Sequence, residues 1–451
     1  MKIHFIAIGG SAMHNLALAL HHQGHSISGS DDEIFEPSKS RLENAGLLPE
    51  AQGWFSEKIH TDLDAVILGM HAKADNPELI RSRELGLKIY SYPEFLYEQS
   101  KDKKRVVIAG SHGKTTITAM VMHVLQQAGI DFDFMVGAQL EGFDVMVKMS
   151  EEAGIMLFEG DEYLTSALDP RPKFHLYRPH LALISGIAWD HINVFPSFAN
   201  YLTQFEQFIR LIEPGGTLVY YSPDKELEKI ARQNREIKLI PYSLPHFEEN
   251  DGVLYLHAED KKFPLKIFGL HNMQNLCGAI HICRELGIDD VDFAHAISDF
   301  AGASKRLQFI GGNDNTSVYL DFAHAPSKLM ATVEAVKGHF KAHKLVACME
   351  LHTYSSLNKA FLDQYRGTMD LADIAFVYYN PHTLALKRLP PITPRDVQLA
   401  FARNDLRVFN DSTEMLAALS GLDWKNSVLL LMSSGNFDGL QADKIAARIL
   451  A

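Results

Sequence analysis

The chain has 451 residues, 46% hydrophobic and 22% charged, which is ordinary globular usage and long enough for about three domains. A net charge of −13 argues against a nucleic-acid binder, because neutralising a phosphate backbone needs a basic face, so small molecules are the expected partners. Cys277, Cys283 and Cys348 lie outside any metal-ligand spacing, the chain opens directly on a strand-like run, and no apolar run reaches about 18 residues, so a cytoplasmic protein without membrane insertion is expected.

The first block predicts a strand over Ile3–Ile8, the turn Gly9-Gly10-Ser11-Ala12-Met13, a helix over Asn15–His22 and a second strand ending Gly29-Ser30-Asp31. This is a βαβ nucleotide-binding pattern. Small residues at Gly9, Gly10 and Ser11 let a phosphate approach a helix N-terminus, and Asp31 is placed for a ribose hydroxyl. The third glycine of the dinucleotide fingerprint is missing, so a mononucleotide or nucleotide-sugar fits better than a dinucleotide, with an ordinary sheet turn as the bland alternative. The charged run Glu98-Gln99-Ser100-Lys101-Asp102-Lys103-Lys104-Arg105 reads as a solvated linker.

A strand over Val106–Ala109 then leads into Gly110-Ser111-His112-Gly113-Lys114-Thr115-Thr116 and a helical pattern from Ile117, with Met120, Val121, Val124 and Leu125 on one face and a stop at Gly129. This is the layout of a phosphate-binding loop. Backbone N–H groups turn inward around an anion, Lys114 reaches the outer phosphates, and the Thr115 hydroxyl suits Mg²⁺, so a nucleoside triphosphate is expected. Ile108 stands where the usual motif has its first glycine; the strand–loop–helix context carries the reading. Further on, a strand over Ile155–Phe158 ends in Glu159-Gly160-Asp161-Glu162, and one over Leu181–Ile184 leads to Trp189-Asp190-His191. Acids at strand ends suit Mg²⁺, although a solvated acidic pair or a packed histidine is the commoner role. Gly269-Leu270-His271-Asn272-Met273-Gln274-Asn275 opens a helix on which Asn272 and Asn275 share a face, fitted to an adenine edge unless Asn272 is simply the cap.

The third block begins near Ala303 and predicts strand Val318–Asp321, helix Ser327–Phe340, strand Leu345–Met349, a helix, strand Ile374–Tyr379, a helix, strand Val428–Met432 and a helix, another doubly wound α/β unit. Its polar strand ends are Asp321 with His324, Glu350 with His352, and Ser433-Ser434-Gly435-Asn436, which the usual rule gathers at one crevice. Lys305-Arg306 at the joint reaches a phosphate or is a plain surface pair.

In this order, Gly110–Thr116, Glu159–Glu162, Asp190-His191, His271–Asn275, Lys305-Arg306 and Asp321-Phe322-Ala323-His324-Ala325-Pro326 resemble the hallmarks of the Mur ligase family, the ATP-dependent ligases that build the peptide of the bacterial cell wall. The resemblance covers essentially the whole chain. It implies an α/β fold of three domains, each a mostly parallel doubly wound sheet: a Rossmann-like N-terminal domain (1–100) for a UDP-sugar, a P-loop ATPase-like central domain (101–302) for ATP, and a Rossmann-like C-terminal domain (303–451) for the incoming peptide or amino acid. Carried over residue by residue, Gly110, Ser111, His112, Gly113 and Thr116 would cradle the nucleotide and Lys114 its outer phosphates. Thr115 and Glu159 would hold one Mg²⁺ and His191 a second. Asn272 and Asn275 would meet the adenine, Arg306 the γ-phosphate and Asp321 the ATP ribose. Gly9, Gly10, Ser11 and Asp31 would bind the UDP portion, and His324, Glu350, His352 and Asn436 the peptide.

Within the family, Ser91–Leu96, Lys173–Pro179 and Met432–Gly439 resemble the branch that joins UDP-N-acetylmuramate to L-alanyl-γ-D-glutamyl-meso-diaminopimelate during recycling. The rival is the branch that adds L-alanine, whose Pro-His-Arg-Tyr stretch is replaced here by Leu351-His352-Thr353-Tyr354. Departures from the family pattern are Gly186 for an asparagine, Ala188 and Asn193 for acids, Leu320 for a second aspartate, and His352 for the arginine common in the recycling branch. Two readings from other classes are a nucleotide-sugar oxidoreductase, which the incomplete glycine pattern opposes, and a non-catalytic ATP-binding switch. Nothing in the sequence sets an oligomeric state.

Overall fold

The computed structural model describes residues 1–450 apart from 71, 141, 167, 190–193, 251, 304 and 305. It divides into two compact units, residues 1–187, 197–243 and 281–288 in one, and 188–196, 244–280 and 289–451 in the other. The architecture is three-domain α/β with mostly parallel sheets, and no helix among the described residues is long and apolar enough to cross a membrane.

The first unit opens with strands β1 (Lys2–Ile6), β2 (Ser26–Ser30), β3 (Ala65–Leu68) and β4 (Ile89–Ser91), and helices α1 (Ser11–His22), α2 (Ser38–Asn44), α3 (Pro77–Glu84) and α4 (Tyr92–Gln99). The strands form a parallel sheet in the order β2-β1-β3-β4. Ile3, Phe5, Ile6, Val66 and Ile67 are fully buried, as apolar runs in a parallel sheet covered on both faces must be. β1 stops at Ile6 rather than Ile8. Ala7 takes a φ of 70°, and the N–H groups of Ala7 and Ile8 both donate to the Ser30 carbonyl at 2.9 and 3.1 Å, pulling the chain out of the sheet toward the first turn.

The second sheet contains β5 (Lys104–Ala109), β6 (Asp133–Met135), β7 (Val147–Lys148), β8 (Ile155–Glu159), β9 (Leu181–Ile184), β10 (Thr217–Tyr221) and β11 (Lys238–Tyr242), with α5 (Lys114–Gln127), α6 (Phe198–Arg210) and α7 (Lys225–Ala231). Its order is β11-β10-β9-β5-β8-β6-β7, parallel except for β7. The strand order reverses beside β5, and the loop after β5 therefore opens at the crevice where such sheets bind ligands.

The expected solvated linker at 98–105 is corrected by the structure. α4 runs to Gln99 and β5 starts at Lys104, leaving only four residues between them. Arg105 is 3% exposed. Its guanidinium donates to the carbonyls of Ser100, Lys101, Tyr177 and Arg178 at 2.9–3.1 Å and pairs with Glu213 at 3.1 Å. A planar fork with five donors suits such a set of acceptors, which is why a charge becomes an interior fastener here.

The second unit carries a small antiparallel sheet of β12 (Phe247–Asn250), β13 (Val253–Ala258) and β14 (Lys261–Leu265), which the sequence patterning did not reveal. Helix α8 (Leu270–Glu285) begins in this unit, followed by α9 (Asp290–Ile297). A six-stranded sheet then uses β15 (Gln308–Gly312), β16 (Thr316–Asp321), β17 (Lys344–Leu351), β18 (Ile374–Tyr379), β19 (Arg407–Phe409) and β20 (Ser427–Met432), in the order β15-β16-β20-β17-β18-β19. Only β15 runs antiparallel. Its helices are α10 (Pro326–His339), α11 (Pro381–Leu386), α12 (Pro394–Phe401), α13 (Ser412–Ser420) and α14 (Ala442–Leu450). Val318, Val346, Cys348, Phe376, Leu429 and Leu431 project from one face of the sheet onto Met415, Leu419 and Ile445 of α13 and α14, forming a dry core. Phe268 stacks on His339 at 4.0 Å and meets Tyr319 edge-on, fastening the segment before α8 to α10 and β16.

The helix expected between β17 and β18 is absent; a single 3-10 turn at Leu362–Tyr365 takes its place. Local side chains capture the backbone instead: the Ser356 N–H donates to Thr353 Oγ1 and the Ala360 N–H to Asn358 Oδ1, both at 3.1 Å, in turns that compete with helix formation. Leu357, Leu362 and Tyr365 are buried all the same, Tyr365 stacking on Phe401 at 5.1 Å.

Candidate functional site

The loop after β5 is built so that it has no room for larger residues. Gly110 adopts a φ of 123°, and a Cβ there would lie 2.7 Å from the backbone nitrogen of Ser185. Ser111 fastens the loop to the neighbouring strand end by donating its N–H and hydroxyl to the Gly186 carbonyl at 3.0 and 3.1 Å, and the Ser185 hydroxyl donates to the His112 carbonyl. Gly113, at φ 75°, is the residue from which α5 begins, so Lys114, Thr115 and Thr116 form its first turn. The helix starts three residues before the apolar pattern at Ile117 because this glycine sets its entry.

Lys114 Nζ donates to the Gly110 carbonyl at 2.6 Å and to Glu162 Oε2 at 2.7 Å. Burial works against its charge, but Glu162, Asp161 and Glu159 outweigh that and raise its pKa. The Thr115 hydroxyl donates to Glu159 Oε1 at 2.7 Å, while Glu159 Oε2 accepts from the Gly137 N–H at 2.9 Å. Two oxygen ligand groups at the end of a helix and a strand therefore converge beside the phosphate cradle, a donor set that fits a hard divalent cation. Glu162, 1% exposed and also bonded by the Tyr201 hydroxyl at 3.2 Å, was not singled out from the sequence although it is the partner of Lys114. His191 and Asp190 lie outside the described residues, as does Lys305.

In the first turn, the Asp31 carboxylate accepts from the Gly9 N–H at 2.7 Å. Asp31 is 5% exposed, and burial, aided by neighbouring Asp32, pushes its pKa up to about 6. A Cβ at Gly9 would stand 2.8 Å from Ile34 Cγ1 and 2.9 Å from Asp31 Oδ2, so this glycine answers a packing need. Gly10 has only ordinary contacts within reach of a Cβ and leads into exposed Ser11 at the start of α1.

In the second unit, Asn272 is the third residue of α8 and not its cap; its Nδ2 donates to the Phe268 carbonyl at 2.8 Å. Asn275 is half-buried one turn on. Asp321, at the end of β16, accepts the Leu307 N–H at 2.7 Å and so anchors the turn that carries Arg306. Burial raises the Asp321 pKa, against the pull of Arg306 and of two backbone N–H groups. The Arg306 guanidinium lies 4.7 Å from the Phe322 ring centre.

The ends of β17 and β20 meet around Glu350, which is 2% exposed. It accepts from the Ser433 hydroxyl and from the Phe437 N–H at 2.9 Å, with His352 Nδ1 at 3.6 Å. Burial raises its pKa, but His352, Ser433 and Phe437 together bring it below the ordinary value. Gly435 lies so close that a Cβ would come 2.7 Å from His352 Nδ1. The buried Ser434 hydroxyl has no partner among the described residues. Glu350 and His352 are thus brought together, whereas Asn436 Oδ1 accepts the Gly439 N–H at 3.0 Å within its own turn and His324 Nδ1 lies 3.0 Å from the Phe322 carbonyl.

Family models described as the Mur ligase catalytic domain, the Mur ligase middle domain and the Mur ligase glutamate ligase domain match residues 2–104, 108–283 and 305–435. A UDP-N-acetylmuramate–L-alanine ligase of Caldicellulosiruptor bescii is 31% identical, over 83% of this chain and 83% of its own. The chain belongs to the Mur ligase family. As a Mur ligase it is an ATP-dependent amide-bond ligase of peptidoglycan and cell-wall metabolism. It is also similar to the UDP-N-acetylmuramate–L-alanyl-γ-D-glutamyl-meso-2,6-diaminoheptandioate ligase of Escherichia coli, at 26% identity over 98% of this chain and 96% of that protein. Among solved structures, a murein peptide ligase from Psychrobacter arcticus superposes with a TM-score of 0.67 at 24% identity, covering 100% of this chain and 99% of the other, a likeness of fold.

Proposed function

We propose that this Mur ligase joins UDP-N-acetylmuramate to L-alanyl-γ-D-glutamyl-meso-diaminopimelate, with ATP and Mg²⁺, in cytoplasmic peptidoglycan recycling. Similarity along nearly the whole chain at 26% identity extends to the Escherichia coli tripeptide ligase as it does to L-alanine ligases, so the observation that carries this reading is a set of local segments. The segments 91–96, 173–179 and 432–439 resemble that branch. The second reading, addition of L-alanine, is favoured by the larger number of similar relatives bearing that name.

In the proposed reaction the lactyl carboxylate of the muramate attacks the γ-phosphorus of ATP in line, expelling ADP and giving an acyl phosphate. The α-amine then attacks the acyl carbon, inorganic phosphate leaves and the ammonium proton passes to solvent. Two anions must meet, so Lys114 and Arg306 serve to offset their repulsion and to stabilise charge on the transferring phosphoryl group. Mg²⁺ held by Thr115 and Glu159, with His191 at a second ion, would neutralise phosphate charge. Residues 110–116 hold the phosphates, Asn272 and Asn275 face the adenine, and Asp321 serves the ribose directly or through the Arg306 turn. Residues 1–100 take the UDP-sugar through Gly9, Gly10, Ser11 and Asp31; 101–302 take ATP; 303–451 take the amine through His324, Glu350, His352 and Asn436.

The test is phosphate release from ATP with UDP-N-acetylmuramate and Mg²⁺, offering free L-alanine or the tripeptide in separate reactions. Tripeptide-dependent release supports the proposal. Release with L-alanine alone moves the enzyme to the other branch, and release with neither removes both acceptors.

A further inference from the structure

A cavity of about 610 Å³ lies in the first unit between α4, the 171–178 segment and the last turn of α6. That volume is in the range of small-molecule sites. It is remote from the phosphate loop along the strands: Arg178 precedes the amino end of β9, whereas the loop follows the carboxyl end of β5, and the two strands pair in parallel with Val106 opposite Leu181 and Ala109 opposite Ile184.

Its charges do not cancel. Lys101 is paired with Glu98 at 2.7 Å, and Arg171 is paired with Glu94 at 3.2 Å and with Asp169 at 2.6 Å. These pairs use both lining carboxylates. Arg178 and Arg210 remain, and no carboxylate of the described residues forms an ion pair with either. Both also line an adjoining cavity of about 240 Å³ together with Glu213, already engaged by Arg105, and Glu236, which is paired with neither arginine. The Tyr97 ring adds its π face to this wall, with Arg105, Lys101 and Arg178 at 5.2, 5.6 and 6.0 Å from its centre, the first two already paired with Glu213 and Glu98. In a chain of net charge −13, two unpaired guanidinium groups facing the same pair of cavities form a concentrated anion-attracting feature.

We propose that this cavity is a second anion site, taking a phosphate-bearing small molecule apart from the nucleotide loop. Guanidinium forks match phosphate oxygens bidentately, and the space exceeds what an inorganic ion alone would fill. The site adjoins the short joint between the first two sheets, where Arg105 holds the carbonyls of Lys101 and Arg178, so an occupant would bear on that joint.

The experiment uses inorganic pyrophosphate as probe, in equilibrium dialysis against the full chain saturated with ADP and UDP-N-acetylmuramate so that the nucleotide and sugar sites are filled. One further pyrophosphate should bind, and binding should weaken at least tenfold in Arg178→Gln/Arg210→Gln with ADP affinity unchanged. Arg210→Gln alone, at an exposed helix position that tolerates glutamine, should show an intermediate loss and guards against misfolding of the double variant. Absence of that further pyrophosphate, its persistence in the double variant, or equally strong retention of citrate in place of pyrophosphate would each overturn the assignment.

Discussion

In the proposed site Lys114 meets the outer phosphates of ATP; Glu162 holds that cation, and its removal should therefore tighten nucleotide binding. Glu162 accepts from Lys114 at 2.7 Å, with 1% of the Glu162 side chain and 16% of the Lys114 side chain exposed. Glu162→Gln keeps an oxygen for the Tyr201 hydroxyl but turns an amide N–H₂ toward the ammonium, leaving Lys114 only the Gly110 carbonyl. A hydrogen bond to a charged group contributes about 1.5–3 kcal/mol net, and the lower end applies because Gly110 remains. If the β- and γ-phosphates replace the carboxylate when ATP binds, this loss falls on the free protein alone. The cycle then returns it as affinity: about 1.5 kcal/mol is about a tenfold lower Kd for ATP. Calorimetric titration of a non-hydrolysable ATP analogue with Mg²⁺ measures the change, and thermal unfolding without nucleotide should show a lower midpoint. A tenfold weaker Kd would refute the exchange and make Glu162 part of the nucleotide-bound arrangement.

Lys114→Ala should abolish phosphate release while leaving UDP-sugar binding within about twofold, because the first turn and the phosphate loop sit on different sheets; equal loss of both in parallel titrations would break the domain assignment. Gly110→Ala should remove ATP binding, measured by the same titration, since its Cβ meets the Ser185 backbone at 2.7 Å; near-normal binding would show that the loop yields. Asp31 has a folded-state pKa of about 6 against an ordinary 3.8, so its contribution to stability is complete below pH 3.8 and lost as pH rises through 6. Asp31→Asn should accordingly gain in melting temperature relative to the parent between pH 4 and 7, and a constant difference across that range would contradict the burial argument. Glu350 has the opposite sign: its pKa is lowered, so its contribution is present above the ordinary carboxyl range and fades as pH falls through and below it. Glu350→Ala should cost about 1–3 kcal/mol in denaturant unfolding by leaving the buried Phe437 N–H without its acceptor, and should raise KM for the amine more than it lowers kcat.

The phosphate loop was legible because all its determinants are local: the strand, two glycines, the lysine and the helix follow one another within about twenty residues. The partner of Lys114 was not, since Glu159 and Glu162 lie in one short acidic stretch and the pairing of β5 with β8 decides which reaches the lysine and which the threonine. The same limit explains the missing helix before β18. Leu357, Phe361, Leu362 and Tyr365 have helical spacing, but spacing does not weigh the Thr353 and Asn358 side chains that bind nearby N–H groups first. The antiparallel strands β12–β14 carry exposed Glu and Lys residues that masked their pairing until both partners were seen together. Glu350 and His352 were read at one crevice with Ser433–Asn436, and Ser433 and Gly435 do join them because β20 lies beside β17, whereas Asn436 accepts within its own turn.

Arg105 gives the junction of the first two sheets a property that matters for anyone recombining this protein with its relatives. A cut between residues 101 and 104 looks harmless in the sequence, yet it parts the Arg105 guanidinium from the Ser100 and Lys101 carbonyls, while Tyr177, Arg178 and Glu213 stay with it. A transplanted N-terminal domain would have to present those two carbonyls in the same place, or Arg105 Nη1 would lose both of its acceptors. The module boundary is therefore three-dimensional: a chimera should keep the 100–105 turn with Arg105, and with it Glu213, the acceptor that is a side chain and not a backbone carbonyl.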